Sequence, residues 1–296
     1  MDKKKLAGII EERGRPRCVA LMADGTRRML KLEPGYHQDK WLYARVHINK
    51  MMEQVMLVVD FLFEVGVEVI IGPLASQGNI HRPDFLPKGL EILLDSLFEP
   101  FSLEVFKKRQ VAVSFYGDLD YVKSLPGGEI IEFYQYRFQE MNPATSKHRI
   151  LIGIGFSTDR ETEIIARLAI DFYQRYQRPP SYSELVVEYF GADIPVIDIF
   201  IRTNEMRASG GLTPLLTGLE TQWYVPVAPG ILSFSEKLIR LILCDYFCHR
   251  VISKGIHNHE PIILEEAVSV SDFYQKHSEK VLGLGFRVGD IWLPDL

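Results

Sequence analysis

Two arginines stand directly after an acid and a glycine in Asp24-Gly25-Thr26-Arg27-Arg28, the densest chemical signal in this 296-residue chain. The six residues before them, Cys18-Val-Ala-Leu-Met-Ala23, are apolar or small. An apolar run that stops on an acid and two cations reads as a buried strand delivering polar groups at its C-terminal end. In open α/β sheets, ligands bind outside that edge. A carboxylate suits Mg²⁺ and planar guanidiniums suit phosphate oxygens, so the pairing points to a diphosphate ligand.

Two further blocks follow predicted strands. One is Ala75-Ser76-Gln77-Gly78-Asn79-Ile80-His81-Arg82-Pro83. The other runs from Ile201-Arg202-Thr203-Asn204-Glu205-Met206-Arg207-Ala208-Ser209 to Glu220-Thr221-Gln222-Trp223-Tyr224. Ionising an allylic diphosphate moves charge onto a leaving group that is already anionic, and preorganised cations stabilise that departure. Arg27, Arg28, Arg82, Arg202 and Arg207 are the candidates for this work, with Mg²⁺ on Asp24. The base that helps a nucleophile to capture the cation would come from Asp24, Tyr43 or His47.

The elements that must position these groups alternate along the chain. Strands are predicted at 18–24, 67–75, 110–116, 149–156, 196–203 and 222–228, mostly apolar without strict alternation, as strands covered on both faces require. A long amphipathic helix is predicted over 41–65, through Met52, Val55, Val59, Leu62 and Phe63, and a second over 86–98, through Leu90, Leu93, Leu94 and Leu97. Their apolar faces would form a dry pocket. Capping-box patterns at Thr158-Asp-Arg-Glu161 and Ser233-Phe-Ser-Glu236 mark two later helix starts. The alternation predicts an α/β fold with a mainly parallel central sheet and right-handed crossovers. It forms one domain over 1–296, with a core of about 15–252 and an appendage over 253–296 that holds a short helix near 265–280 and an extended end.

Composition is that of an ordinary globular protein, 47% hydrophobic and 25% charged. A formal charge of -5 argues against nucleic acid as the main partner. No apolar run has the length of a membrane span, and Met1-Asp-Lys-Lys-Lys5 leads into too short an apolar stretch for a signal peptide, so a cytoplasmic location is predicted. Three cysteines make no disulfide framework. Cys244-x-x-x-Cys248-His249, with His257 and His259 beyond, permits a zinc site, but the two cysteines fall on an apolar helix face where thiols commonly pack in a core. Asp118, after Phe115-Tyr-Gly117, reads as a turn residue closing the third strand.

Together the three blocks resemble the cis-prenyltransferase family, the undecaprenyl diphosphate synthase type, over roughly residues 15–240. Its first-strand loop reads Asp-Gly-Asn-Gly-Arg-Trp, its second block Ser-x-x-Asn-Trp-x-Arg-Pro, and its third Arg-Thr-…-Arg-x-Ser followed by a metal-binding glutamate. The resemblance implies that Asp24 is the essential aspartate, that Gly25, Thr26, Arg27, Arg28, Ser76, Asn79, Arg82, Arg202, Arg207 and Ser209 hold diphosphate, and that Glu220 is a second Mg²⁺ ligand. His47 falls within one position of the family's loop-following histidine. The resemblance also implies a homodimer.

The departures from the family pattern carry information too. Asn-Gly-Arg-Trp has become Thr26-Arg27-Arg28-Met29, and the second block's tryptophan is Ile80. An Asp-Gly-x-Arg-Arg loop is similar to offshoots of the fold that no longer elongate polyprenols. One is cyclolavandulyl diphosphate synthase. A closer one is the group of tuberculosinol (tuberculosinyl adenosine) and kolavelool synthases, matched further at Phe115-Tyr-Gly-Asp118, Pro214-Leu-Leu216, Gly283-Leu-Gly285 and Gly289-Asp-Ile-Trp292. That resemblance implies a Mg²⁺-dependent diterpene synthase. It would ionise a bicyclic diterpenyl diphosphate of kolavenyl or tuberculosinyl type, supplied by a separate cyclase, and quench the cation with water. Transfer to isopentenyl diphosphate or to a nucleoside is the alternative, and a non-catalytic partner subunit is a third reading. The absence of Asp-Asp-x-x-Asp and Asp-x-Asp-Asp motifs argues against the usual terpene-synthase folds.

Overall fold

The computed structural model describes residues 6, 8–10, 14–32, 39–208, 211–227, 234–250, 264–289 and 291–295. Within these, no helix is long and apolar enough to cross a membrane. The chain divides into two compact units, Met1–Cys244 and Asp245–Leu296.

The first unit is built on six strands: β1 (Cys18–Met22), β2 (Val69–Ser76), β3 (Val111–Tyr116), β4 (His148–Phe156), β5 (Ile199–Thr203) and β6 (Thr221–Val225). All pair in parallel, in the order β3-β4-β2-β1-β5-β6. β1 is buried along its whole length. Its start is fixed by Asp198, whose carboxylate accepts the backbone N–H groups of Arg17 and Cys18 at 2.6 and 3.0 Å. Cys18, Ala20, Val69, Ile71 and Leu151 pack on one side of the sheet against Val186 and Phe190 of α9 (Tyr182–Phe190).

The opposite face carries α2 (Lys40–Glu64), the longest helix, preceded by α1 (Thr26–Leu32). Asp39 caps α2 by accepting from the N–H groups of Trp41 and Leu42. The helix predicted over 86–98 is broken instead into a π-turn at Phe85–Gly89, α4 (Leu90–Asp95) and a 3₁₀ turn at Ser96–Phe98. Proline is the reason: Leu86 precedes Pro87 and is pushed out of the α region, to φ -96°, ψ 137°. One-turn α3 (Gln77–Ile80) follows β2 directly. Helices α5 (Pro100–Arg109), α6 (Leu119–Ser124) and α7 (Ile130–Met141) then flank β3.

α8 (Thr158–Tyr176) begins one residue earlier in its cap than the sequence pattern suggested. Ser157, not Thr158, is the N-cap, and its hydroxyl accepts from the N–H of Arg160. Ser233 lies outside the described residues; at α10 (Glu236–Cys248) it is the Ser235 hydroxyl that accepts, from Leu238 N–H at 3.2 Å. The boundary between the two units falls within α10. On α10, Cys244 is half-buried and Cys248 exposed, so the second thiol does not pack in a core; His257 and His259 lie outside the described residues. The second unit contains α11 (Leu264–His277) and an antiparallel hairpin of β7 (Gly285–Val288) and β8 (Ile291–Pro294).

Candidate active site

At the C-terminal edge of the sheet, β1 ends and the chain must turn at once into α1. Gly25 makes that turn with φ 95°, a conformation that glycine adopts without strain. Its N–H donates to Asp24 Oδ1 at 2.7 Å, and its carbonyl accepts from Arg28 and Met29 as α1 starts. The other carboxylate oxygen of Asp24 accepts from the guanidinium of Arg202. Strand register causes this meeting, because Met22 of β1 lies beside Arg202 of β5. Thr203 ties the same two strand ends by donating its hydroxyl to Asp24 O at 2.8 Å.

The Arg202 side chain is only 2% exposed. One Nη donates to the carbonyl of Arg207 at 2.6 Å, while its buried Nε has no partner among the described residues. Glu205 links the remaining cations. It accepts from Arg28 at 2.8 Å and Arg207 at 2.7 Å and lies 3.6 Å from Arg202. Sequence reasoning gave Glu205 no role, although it stands between the two arginines of the third block. Arg82 joins from the loop after β2. Its pKa is pushed below the usual arginine range first by burial and then by neighbouring Arg27, against the pull of Asp24. A guanidinium crowded by another gains from an anion bound between them.

Ser76 and Asn79 satisfy each other. The Asn79 side chain accepts from the N–H and hydroxyl of Ser76, and the Ser76 hydroxyl accepts from Asn79 N–H, forming a capping box around α3. Both also line the cavity described next.

A cavity of about 870 Å³ opens at this edge, within the roughly 300–1,000 Å³ range of small-molecule sites. Its floor is the α2-side face of the sheet, including Leu21, Ile70, Gly72 and Ile152. Its roof is α2, through Ala44, Ile48, Met51, Met52 and Val55, and Ile92 and Leu97 wall it. The polar mouth holds Asp24, Gly25, Thr26, Arg27, Arg28, Ser76, Asn79, Arg82, Arg202 and Arg207. A cationic mouth above an apolar gallery matches a ligand with an anionic head and a hydrocarbon body.

Four residues singled out from sequence, Tyr43, His47, Glu220 and Asp118, stand elsewhere. Tyr43 and His47 do not line the cavity. At about 100° per residue, His47 is turned roughly a quarter of the way round α2 from the cavity-facing line, and Tyr43 roughly a third. His47 is instead buried, at 8% exposure. Glu220 precedes Thr221, which pairs with Ile199 at the start of β5. Asp24 lies beyond the end of β1, so the two carboxylates occupy opposite edges of the sheet, on the order of 15 Å apart along the strands alone. Glu220 accepts there from Gly218 N–H and the Gln222 amide. Ser209 lies outside the described residues. Asp118 is buried, caps α6 and lies 3.8 Å from Arg160, also away from the cavity.

Mg²⁺ characteristically takes one or two protein carboxylates and completes its shell with water and substrate phosphates. Asp24, partly exposed at the mouth among phosphate-binding cations, fits that donor set; Glu220 does not reach it. No group of three or more His, Cys, Asp or Glu able to hold a metal occurs among the described residues.

No protein-family model matches this chain. Tuberculosinyl adenosine transferase of Mycobacterium tuberculosis is 27% identical over 298 residues, covering 98% of this chain and 94% of that protein. Among solved structures, lavandulyl diphosphate synthase from Lavandula x intermedia, in complex with dimethylallyl diphosphate, superimposes with a TM-score of 0.62 at 14% identity, over 79% of this chain and 96% of the other. A probable undecaprenyl diphosphate synthase from Campylobacter jejuni gives 0.53 at 17% identity, over 80% and 98%. The all-parallel six-stranded sheet flanked by helices is the architecture shared with these structures.

Proposed function

We propose that this chain, which has the fold of the cis-prenyltransferase-like superfamily, ionises an allylic diterpenyl diphosphate of bicyclic type, releases diphosphate and lets water capture the allylic carbon as an alcohol. The observation that carries this reading is a cavity in which five arginines crown an apolar gallery. Arg27, Arg28, Arg82, Arg202 and Arg207 would bind the diphosphate and stabilise the charge that grows on it as the C–O bond breaks. Gly25 and Thr26 shape the turn that presents α1 to it. The gallery beneath α2 would hold the hydrocarbon away from water until the bond has broken.

Asp24 would hold Mg²⁺, which when bound supplies positive charge to the leaving diphosphate. Arg202 must share Asp24 with that ion. The pair therefore sets the carboxylate's direction before the substrate arrives. A separate cyclase as the source of the bicyclic substrate, and a homodimeric state, belong to the same proposal.

A second reading is transfer of the diterpenyl group to a nucleoside, favoured by the relative named for adenosine transfer, which aligns with 98% of this chain. One experiment separates the readings. The purified chain is incubated with Mg²⁺ and geranylgeranyl, kolavenyl or tuberculosinyl diphosphate, with and without adenosine or isopentenyl diphosphate, and products are identified by mass spectrometry. A phosphate-free alcohol from a bicyclic substrate alone is expected. A nucleoside adduct formed only with adenosine selects the second reading, and longer diphosphates formed only with isopentenyl diphosphate overturn both. Asp24→Ala is expected to abolish diphosphate release with circular dichroism unchanged; near-wild-type rates in that variant would remove Asp24 from the site.

A further inference from the structure

The reaction needs a group to take the proton of the attacking hydroxyl, and none of the sequence candidates serves. Tyr43 and His47 are turned away from the cavity, and Asp24 is ion-paired with the buried Arg202 and is the residue assigned to Mg²⁺. Among the described residues three carboxylates line the cavity: Asp24, Asp84 and Asp159. Asp84 is paired with Lys40 at 2.6 Å. Among the described residues Asp159 forms no ion pair, and Arg160 beside it acts on it only as a neighbouring charge.

The elements explain why it has none. Asp159 lies in the first turn of α8, at the end of β4, two strands across the sheet edge from β1. The adjacent Arg160 is drawn the other way: its guanidinium lies 3.8 Å from Asp118 and 3.3 Å from Glu163, and its centre stands 5.0 Å from the Tyr121 ring. At about 4.8 Å per strand, the end of β4 that carries Asp159 is set roughly 10 Å along the edge from the end of β1 that carries Arg27 and Arg28. The cavity mouth therefore has two poles, a cationic one at the ends of β1 and β5 with Arg82 from the segment after β2, and an anionic one at the end of β4. Hydrogen bonds from its own N–H and from Ser157 hold the Asp159 carboxyl below the usual range, so it is a carboxylate at neutral pH.

We infer that Asp159 is the proton acceptor for a neutral hydroxyl acceptor, water in the first instance, and that its charge disfavours a second diphosphate at the β4 end of the mouth. This inference rests on the proposed ionisation. The bond electrons leave with the diphosphate oxygen, and an oxygen lone pair of the acceptor forms the new C–O bond. The acceptor's proton passes to the Asp159 carboxylate and from there to solvent. Where no acceptor is activated, the carbocation instead loses a proton from a neighbouring carbon to the departed diphosphate and leaves as a hydrocarbon.

That competition supplies the test. Wild type, Asp159→Asn and Asp159→Glu are assayed with the same bicyclic diphosphate, reading diphosphate release and the alcohol-to-hydrocarbon ratio separately. Asp159→Asn is expected to keep diphosphate release within a few-fold while the alcohol-to-hydrocarbon ratio falls at least tenfold, with partial recovery in Asp159→Glu. A side chain exposed in the first turn of a helix tolerates both changes, and unaltered melting curves check this. An unchanged ratio in Asp159→Asn overturns the role of Asp159 while leaving the ionisation reading intact. Absence of diphosphate release by the wild-type chain overturns the ionisation reading and this inference together.

Discussion

The two edges of the central sheet use the same residue types to opposite ends. At the N-terminal edge, Arg15 and Arg17 share Glu68 at 3.1 and 2.9 Å, and Lys108 and Arg109 share Asp60, with Glu64 3.2 Å from Arg109. Each of these four cations has a carboxylate, and the pairs sit where strands begin. At the C-terminal edge five arginines cluster with two carboxylates, Asp24 and Glu205, at one end of a concave mouth whose lining also includes Asp84 and Asp159. Charges paired in this way fasten chain segments to one another. A cation surplus at a concave edge leaves a place for an anion, and a low-dielectric apolar floor strengthens its pull. The contrast separates structural from functional charge better than the number of ion pairs does.

The sharpest way to break the contrast is to remove one arginine from each edge and compare. Arg202→Met takes a nearly buried guanidinium from Asp24 and leaves that carboxylate facing a methyl-capped chain. Removing one partner of a buried pair costs about 3–5 kcal/mol, and because Asp24 is one-third exposed and can rehydrate, the lower end is expected. Loss of a preorganised donor to the leaving group lowers turnover by about 10²–10³-fold. Diphosphate release measured well below the melting temperature separates the two effects. Arg202→Lys should recover most of the stability and little of the turnover, since a point charge cannot bridge Asp24 and the Arg207 carbonyl as the guanidinium does. A fully active Arg202→Met enzyme would mean that the surplus is not functional.

Much of this arrangement was legible in the sequence because residue type dictates it. The runs at 18–24 and 149–156 could only be buried strands, and arginines placed after strands had to emerge at the C-terminal edge. What failed was what tertiary packing decides. Glu220 stands before β6, and in a parallel sheet that puts it at the N-terminal edge, as the pairing of Thr221 with Ile199 shows; the motif resemblance had grouped it with residues of the opposite edge. Helical spacing put Tyr43 and His47 on one face of α2, but the rotation of that helix follows from Met51, Met52 and Met56 packing over the sheet. Asp159 was visible only as part of a helix start, and Glu205 only as a residue between two arginines. In both, function depends on which cations lie near in space, and sequence order does not encode that. Pro87 was the one local signal available and not used, and it splits the segment predicted as one helix.

A second test uses two glutamates with opposite titration behaviour. Glu68, at the paired edge, is held below the usual carboxylate range, chiefly by its hydrogen bond from Arg17. Glu161, in the first turn of α8, is fully buried, and burial pushes its carboxyl above the usual range, reinforced by Asp118 and opposed by hydrogen bonds from Tyr189 and Thr213. A raised folded-state pKa means that the native state binds the proton more tightly than the unfolded chain. The stability it contributes is present in full below the ordinary glutamate value of 4.5 and is lost as pH rises through the folded value. Over that window the wild-type chain should lose stability with a slope of at most about 1.4 kcal/mol per pH unit from this group. Glu161→Gln keeps an acceptor for Tyr189 and removes the titration, so its unfolding free energy should be flatter with pH above about 4.5 and should exceed that of wild type at neutral pH. Denaturant unfolding at several pH values checks this, and parallel curves for the two proteins would contradict it.

The smallest effect belongs to Arg17→Met at the paired edge. The Arg17 side chain is 59% exposed, and its backbone N–H keeps Asp198 whatever the side chain does. Methionine retains most of the aliphatic stem, so packing is little changed. Glu68 keeps Arg15 at 3.1 Å, and its depressed pKa relaxes only in part. Exposed pairs are worth about 0–1 kcal/mol, and that is the expected loss in stability, shrinking further in high salt. The part of the loss that comes from Glu68 should also vanish as pH falls below the ordinary carboxylate range, because protonated Glu68 no longer distinguishes arginine from methionine. Diphosphate release should match wild type, since Arg17 stands at the opposite edge from the cavity mouth. A turnover defect in Arg17→Met comparable to that of Arg202→Met would show that charge at the two edges is not divided between fastening and binding.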